Sequence, residues 1–174
     1  MIAALGASLA LTGCYSSKEP YCAAVDNVAH PSLAPGLHTL KLTAGTPVPV
    51  SGMNLTLTLP PGVEVLTEGP GSNQVLATSL KPLNSSAGVT LVYGNYRAEP
   101  NTVELAMAST QASAWSGDFL QLDFRTQPGA AVTAESIQAL NVKPAAYKVV
   151  GVDPVKRTSM DITAQVTTSV TVIR

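Results

Sequence analysis

The feature that most constrains this chain is a period of two. Leu55, Leu57 and Leu59 alternate with Asn54, Thr56 and Thr58; Leu120, Leu122 and Phe124 alternate with Gln121 and Asp123. Near the C-terminus Ile162, Ala164, Val166, Val170 and Val172 alternate with Thr163, Gln165, Thr167, Ser169 and Thr171. Side chains on a strand point to opposite faces in turn, so this pattern describes strands with one apolar and one wet face. Such strands belong to antiparallel sheets that bury one side only. Proline and glycine punctuate the runs. Pro60-Pro61-Gly62 and Gly69-Pro70-Gly71 each end one, because two residues without an N–H cannot continue a ladder. Further strands are expected at 37–42, 63–66, 75–80, 89–96, 102–108, 118–126 and 146–152, with one long strand over 160–173. Residues 133–140 alone suggest a helix, with Thr133 as its N-cap. Many short strands and almost no helix predict an all-β antiparallel β-sandwich of jelly-roll type.

The N-terminus follows different rules. Residues 2–11 carry no charge and are almost all apolar, and Leu11-Thr12-Gly13-Cys14 follows them. The run has the length of a signal-peptide core and falls short of the ~20 residues a membrane span needs. Small residues before a cysteine resemble the lipobox of bacterial lipoproteins, although no Lys or Arg precedes the apolar run. The expectation is a signal peptide over 1–13, lipid attachment at Cys14, a flexible tether over 14–36 rich in Ser and Pro, and a folded domain over 37–174. Cleavage there leaves Cys22 unpaired; a Cys14–Cys22 disulfide is the competing reading and requires an uncleaved N-terminus. Tyr15, where Asp often signals retention in the inner membrane, points to the outer membrane of the cell envelope.

Charge and cysteine content exclude several classes. Ten basic residues against eleven acidic ones provide no field for nucleic acid or anionic lipid, so nucleic acid is not an expected partner. Two cysteines without a Cys-x-x-Cys motif argue against a zinc ribbon, a thioredoxin-type site or attached haem.

The order of motifs resembles a cohesin-like domain, within the wider carbohydrate-binding-module superfamily of sandwiches. The resemblance rests on the strand and proline turn of residues 48–60, the small-residue strand of 102–109, and the glycine-led strand of 116–124, where Leu and Phe alternate. Cohesins bind dockerin modules through one sheet face, so the resemblance implies a protein partner of dockerin type. Pro60-Pro61 stands where the family often has Asp-Pro, and no short motif marks the contact residues.

Candidate chemistry is sparse. His30 and His38 are the only histidines, and no Gly-x-Ser-x-Gly accompanies them. The carboxylates Glu64, Glu68, Glu99, Glu104, Asp118 and Asp123 are scattered over separate strands and turns. No calcium loop or phosphate-binding loop is present. The expectation is no enzyme, no catalytic residue, no metal and no cofactor. Binding has better candidates, since sugars stack on exposed aromatic faces and peptides anchor on Trp and Tyr. Trp115 lies among small residues just before a strand. It is either an exposed ligand anchor or an inward plug over the core end, with the plug preferred. Tyr93 shares a parity with Leu91 and reads as core. Tyr96, on the opposite parity, and Asn95 beside it read as surface ligand contacts. The function expected is a non-catalytic, membrane-anchored module engaging a protein or polysaccharide. The alternative is a structural subunit that assembles by strand pairing along 160–173, and a hydrolase ranks last.

Overall fold

The computed structural model describes residues 30–83, 90–143 and 145–173. The segment read as a signal peptide, Cys14, Cys22 and the first part of the segment read as a tether lie outside the described residues. Among these, ten strands form two antiparallel sheets. The strands are β1 (Gly36–Gly45), β2 (Val50–Thr58), β3 (Val63–Val65), β4 (Leu80–Pro82), β5 (Thr90–Arg97), β6 (Thr102–Ser113), β7 (Ser116–Thr126), β8 (Ala145–Val152), β9 (Ser159–Asp161) and β10 (Thr167–Ile173). The first sheet runs β10-β1-β7-β3, with β4 also paired to β7; the second runs β5-β6-β2-β8-β9. The expected antiparallel β-sandwich is what the chain forms.

The alternation places the core. Leu40, Leu42 and Ala44 of β1 and Leu120, Leu122 and Phe124 of β7 face inward from the first sheet. Met53, Leu55 and Leu57 of β2 meet them from the second, with Val103, Leu105 and Met107 of β6. The register between β1 and β7 shifts after Leu42, where Leu42 pairs with Leu120 and Thr43 with Asp118. This bulge leaves Phe119 unpaired and lets Phe119 and Leu120, adjacent in sequence, both be buried.

The helix forms as its cap predicts. In α1 (Ala134–Leu140), the Thr133 side chain accepts from the Ser136 N–H, and the Ser136 side chain accepts from the Thr133 N–H in return. Ile137 enters the core. Asn141, buried at the helix end, donates to the carbonyls of Thr58 (2.9 Å) and Ile137 (2.7 Å) and accepts from the Thr58 N–H (2.9 Å), which fastens α1 to the end of β2.

Three expectations need correction. Residues 160–173 are not one strand. Asp161 Oδ1 accepts from the backbone N–H (3.0 Å) and the hydroxyl (2.6 Å) of Thr163, which turns the chain into a 3₁₀ turn over Thr163–Gln165. The chain thereby leaves the second sheet as β9 and joins the first as β10, while Ile162, Val166 and Val170 stay buried throughout. The edge available for strand pairing is accordingly shorter than the alternation suggested. Residues 75–80 are likewise not a strand. Single bridges at Gln74 and Val75 give way to a 3₁₀ turn over Ala77–Ser79, with the Ala77 N–H donating to Glu68 Oε1 at 2.7 Å. The third correction concerns β5, whose inward and outward faces are exchanged relative to the sequence reading; its consequence for the site is described below. The packed structure also reaches back into the segment read as tether: Leu33 is only 4% exposed, and its N–H donates to the Val132 carbonyl at 2.7 Å.

Candidate binding face

The outer face of the first sheet is polar over its middle, with Leu37 (59% exposed) and Ile173 (41%) at one end of β1 and β10. Asp123 accepts from the Thr39 hydroxyl (2.8 Å), Gln121 Nε2 (3.1 Å) and Lys81 Nζ (3.3 Å). Asp118 accepts from the Thr43 hydroxyl at 2.8 Å and pairs with Lys41 at 3.0 Å. Burial raises the Asp123 carboxyl, but the bonds from Thr39, Gln121 and Lys81, together with the Lys81 charge, outweigh it and leave the pKa below the usual carboxylate value. The Asp118 carboxyl is also held low, first by its bond from Lys41 and then by that from Thr43. These groups tie neighbouring strands together and present a solvated surface.

The outer face of the second sheet differs. Cross-strand register sets Tyr93 beside Ala106, Ala106 beside Asn54, and Asn54 beside Lys148, in one row across β5, β6, β2 and β8. The next row is Asn95, Glu104 and Thr56; the row on the other side is Leu91, Ala108, Gly52 and Val150. Small residues in the middle and larger ones at the rim make a trough. An open depression of about 420 Å³ in it is lined by Asn54, Leu55, Thr56, Tyr93, Asn95, Glu104, Leu105 and Ala106. Leu91 is 65% exposed and Tyr93 51%. Glu104 pairs with Arg97 Nη2 (2.9 Å) and accepts from Asn95 Nδ2 (3.3 Å).

The sequence-predicted residues separate in space. Asn95 lies on this face. Tyr96 does not; it points inward, packs partly against the core, and donates its hydroxyl to Asn101 Oδ1 at 3.0 Å. Asn101 in turn donates to the Pro60 carbonyl at 2.9 Å, so Tyr96 belongs to a clamp joining the two sheets at one end of the sandwich. Burial, with the nearby Glu64 charge second, raises the Tyr96 pKa. Trp115 sits beyond the far end of β6, roughly 35 Å along that strand at about 3.3 Å per residue. It is 3% exposed and stacks on Phe119 with ring centroids 5.3 Å apart. Its backbone N–H donates to Thr46 Oγ1 at 2.8 Å, and its carbonyl accepts from the Thr46 N–H at 2.9 Å. Trp115 is therefore the plug and not an exposed anchor: its indole offers no free face for stacking. Tyr93, read as core, is the exposed aromatic.

The reason is Gly94. On β5 the inward positions are Val92, Gly94 and Tyr96. A Cβ on Gly94 would meet Val75 at 2.8 Å and Leu80 at 2.9 Å, because the Val75–Leu80 crossing lies directly against it. A strand that reserves an inward position for glycine has turned its neighbours Leu91 and Tyr93 outward. Glycine inside a strand was the available signal, together with Ala106 and Ala108 on one parity of β6.

The remaining polar candidates do not converge. His38 Nε2 lies 2.7 Å from the Ala34 carbonyl oxygen, and its ring packs on Phe124. His30 pairs with Glu135 at 3.3 Å. Glu68 caps the turn at Ala77, and Glu64 accepts from Gln127. Among the described residues, no group of three His, Cys, Asp or Glu side chains is placed to hold a metal ion. None of the described helices is long and apolar enough to cross a membrane. The chain matches no family model, and neither a curated protein nor a solved structure is found to be similar to it.

Proposed function

We propose that the chain is a non-catalytic, lipid-anchored binding module of the cell envelope, held in the outer membrane through Cys14. It engages a protein or glycan partner through the outer face of β5-β6-β2-β8. The observation that carries this reading is the exposed pair Leu91 and Tyr93 beside the small-residue floor of Ala106 and Ala108. Contiguous apolar surface that the fold leaves in water marks interaction sites, whereas apolar residues scattered singly do not. The cohesin-like, jelly-roll assignment is part of the proposal. It is supported by the three stretches behind the resemblance, which fall on β2, β6 and β7. A dockerin-type protein belongs among the partners to be tested.

Two measurements test the proposal. Intact mass of the protein extracted from membranes is expected to show loss of residues 1–13 and gain of acyl chains on Cys14, and Cys14→Ala to abolish both. Fractionation is expected to place the protein in the outer membrane; recovery in the inner membrane alone overturns that location. For binding, cross-linking in intact envelopes is expected to capture a partner with the natural chain and not with a Leu91→Ser/Tyr93→Ser variant. Equal capture by both removes the face from consideration.

A further inference from the structure

We propose that the chain forms a two-fold dimer in which β10 of one copy pairs antiparallel with β10 of a second, joining the two first sheets into one.

A sheet edge exposes unpaired N–H and C=O groups, which folds shorten, charge, interrupt with proline or cover. The edges of this sandwich differ in that protection. β3 and β9 are three residues long, and β4 is three residues ending on Pro82. β5 is longer, but the crossing segment lies along it. The Gly94 carbonyl accepts from the Val75 N–H at 2.8 Å, and the Tyr96 N–H donates to the Asn73 carbonyl at 2.7 Å. β10 has none of these devices. It runs for seven residues, Thr167–Ile173, in unbroken register with β1, and no strand is paired on its other side. It contains no charge, proline or glycine, and the uncharged stretch reaches back to Ile162. Alternate residues of such a strand turn their N–H and C=O away from the paired neighbour. Among the described residues, no backbone group outside β1 bonds to β10. α1 packs against β10 without closing this edge: Ile137 enters the core, and Asn141 bonds across to Thr58 of the second sheet, so the helix fills the space between the sheets.

The composition of β10 selects a second copy as the occupant. Identical strands pair antiparallel about a two-fold axis perpendicular to the sheet, and such an interface must be complementary to itself. With the axis at Val170, Val170 meets its own counterpart and Thr168 meets Val172 on the inner face. On the exposed outer face Ser169 meets Thr171, and Thr167 meets Ile173. Every pair is neutral, and six of the seven residues are β-branched, the class that packs well on a pleated surface. This register sets Val172 of the second copy beside Thr168, which lines an open cleft with Tyr147 and the exposed Val142. A charged peptide finds no counter-charge on the strand. Among the described residues each copy has one long uncovered edge, so pairing closes at two and does not grow into a fibre. A perpendicular axis also turns the outer faces of both second sheets the same way. Resting on the binding-module reading, the dimer presents two Leu91–Tyr93 faces to one side, and a repetitive partner is held with added avidity.

Small interfaces associate weakly, so sedimentation equilibrium of the full chain is read over about 1–100 µM, in density-matched detergent with micelles in excess of protein. The natural chain is expected to reach twice the monomer mass across that range. Ser169→Glu/Thr171→Glu sets like charges opposite each other in two pairs across the axis, and is expected to remain monomeric with an unchanged far-UV circular dichroism spectrum. Ser169→Lys/Thr171→Glu differs from it by the sign of one charge and makes both pairs attractive. It is expected to dimerise at least about tenfold more tightly than the first variant. Should the first variant not fold, Ser169→Lys/Thr171→Lys provides the like-charge arm. A natural chain that stays monomeric throughout overturns the dimer, and equal association of the like-charge and opposite-charge variants overturns the pairing through β10. None of these substitutions alters Leu91 or Tyr93. The cross-linking comparison above therefore decides the module reading separately: a monomeric chain that still captures its partner through that face keeps the module and removes the dimer.

Discussion

Replacing Trp115 by alanine separates packing from recognition. The indole is 3% exposed, lies on Phe119, and closes the end of the sandwich where β1 and β7 meet through Thr46. Burying a large aromatic removes roughly 150–250 Å² from water, worth about 4–6 kcal/mol at ~25 cal/mol per Å². Alanine recovers a small part of that area, and partial collapse of the site recovers more. The expected loss is therefore about 3–5 kcal/mol, the range seen for buried Trp and Phe truncations. Against a total stability of roughly 5–15 kcal/mol this is a large share. For a domain of this size each kcal/mol shifts the melting temperature by about 2–4 °C, so the variant should melt on the order of 6–20 °C lower. Thermal denaturation followed by circular dichroism measures the shift. Trp115 is the sole tryptophan, so fluorescence reports on it alone: blue-shifted emission, poorly quenched by iodide, is expected. A melting point within 2 °C of the natural chain, or red-shifted and readily quenched emission, refutes the plug.

Three further outcomes follow from the packing. A chain beginning at residue 37 loses Leu33 and its bond to Val132 and should be less stable than one beginning at residue 30 by about 2–3 kcal/mol; equal melting of the two would show that Leu33 contributes nothing. Gly94→Ala should cost about 1–3 kcal/mol by pressing a methyl group into Val75 and Leu80, and an unchanged denaturation midpoint would show that this crossing yields freely. The folded-state pKa of Asp123 is depressed, so its contribution is complete above the unfolded value of about 3.9 and is lost as pH falls from there through the folded value; urea midpoints of Asp123→Asn should fall less between pH 5 and pH 2 than those of the natural chain, and parallel curves would show that the carboxylate is not stabilised by its partners.

Much of the sandwich is legible in the sequence because the middles of its central strands obey one rule. Met53, Leu55 and Leu57 in β2, Val103, Leu105 and Met107 in β6, and Leu120, Leu122 and Phe124 in β7 stand at every second position, and their burial follows directly. Thr133 marks its helix because a side-chain cap is a local device. The failures share a different physics. At 160–173 the alternation continues through Ile162 and Val166, but a local bond from Thr163 to Asp161 turns the chain, and a period of two does not reveal which sheet each half joins. Leu33 stands alone among polar and proline residues, so no periodicity marks it, yet its place opposite Val132 is fixed by tertiary contact. Trp115 was legible only as two alternatives. Its neighbours are small either way, and the deciding partner, Phe119, enters the core through a bulge that alternation does not foresee.

The exchange of faces in β5 links these failures to the proposed site. Leu91 and Tyr93 are the larger apolar residues at their parity, and a hydrophobicity count sends them inward. The inward space beside β5 is already filled by Val75 and Leu80, which arrive from the loop that crosses between the sheets. Position 94 must then lack a side chain, and the inward anchors become Val92 and Tyr96, the latter held by its bond to Asn101. The fold gains its closure from those residues, while Leu91 and Tyr93 lie outside the core, 65% and 51% exposed. A serine or lysine at either position would guard the sheet better against association. Apolar side chains that the core does not use, set over a floor of alanines and beside an ordered Asn–Glu–Arg cluster, are therefore placed for something outside the chain. That residue-level conflict between pattern and packing is the reason the binding face is sought on β5, β6 and β2 rather than at Trp115 or Tyr96.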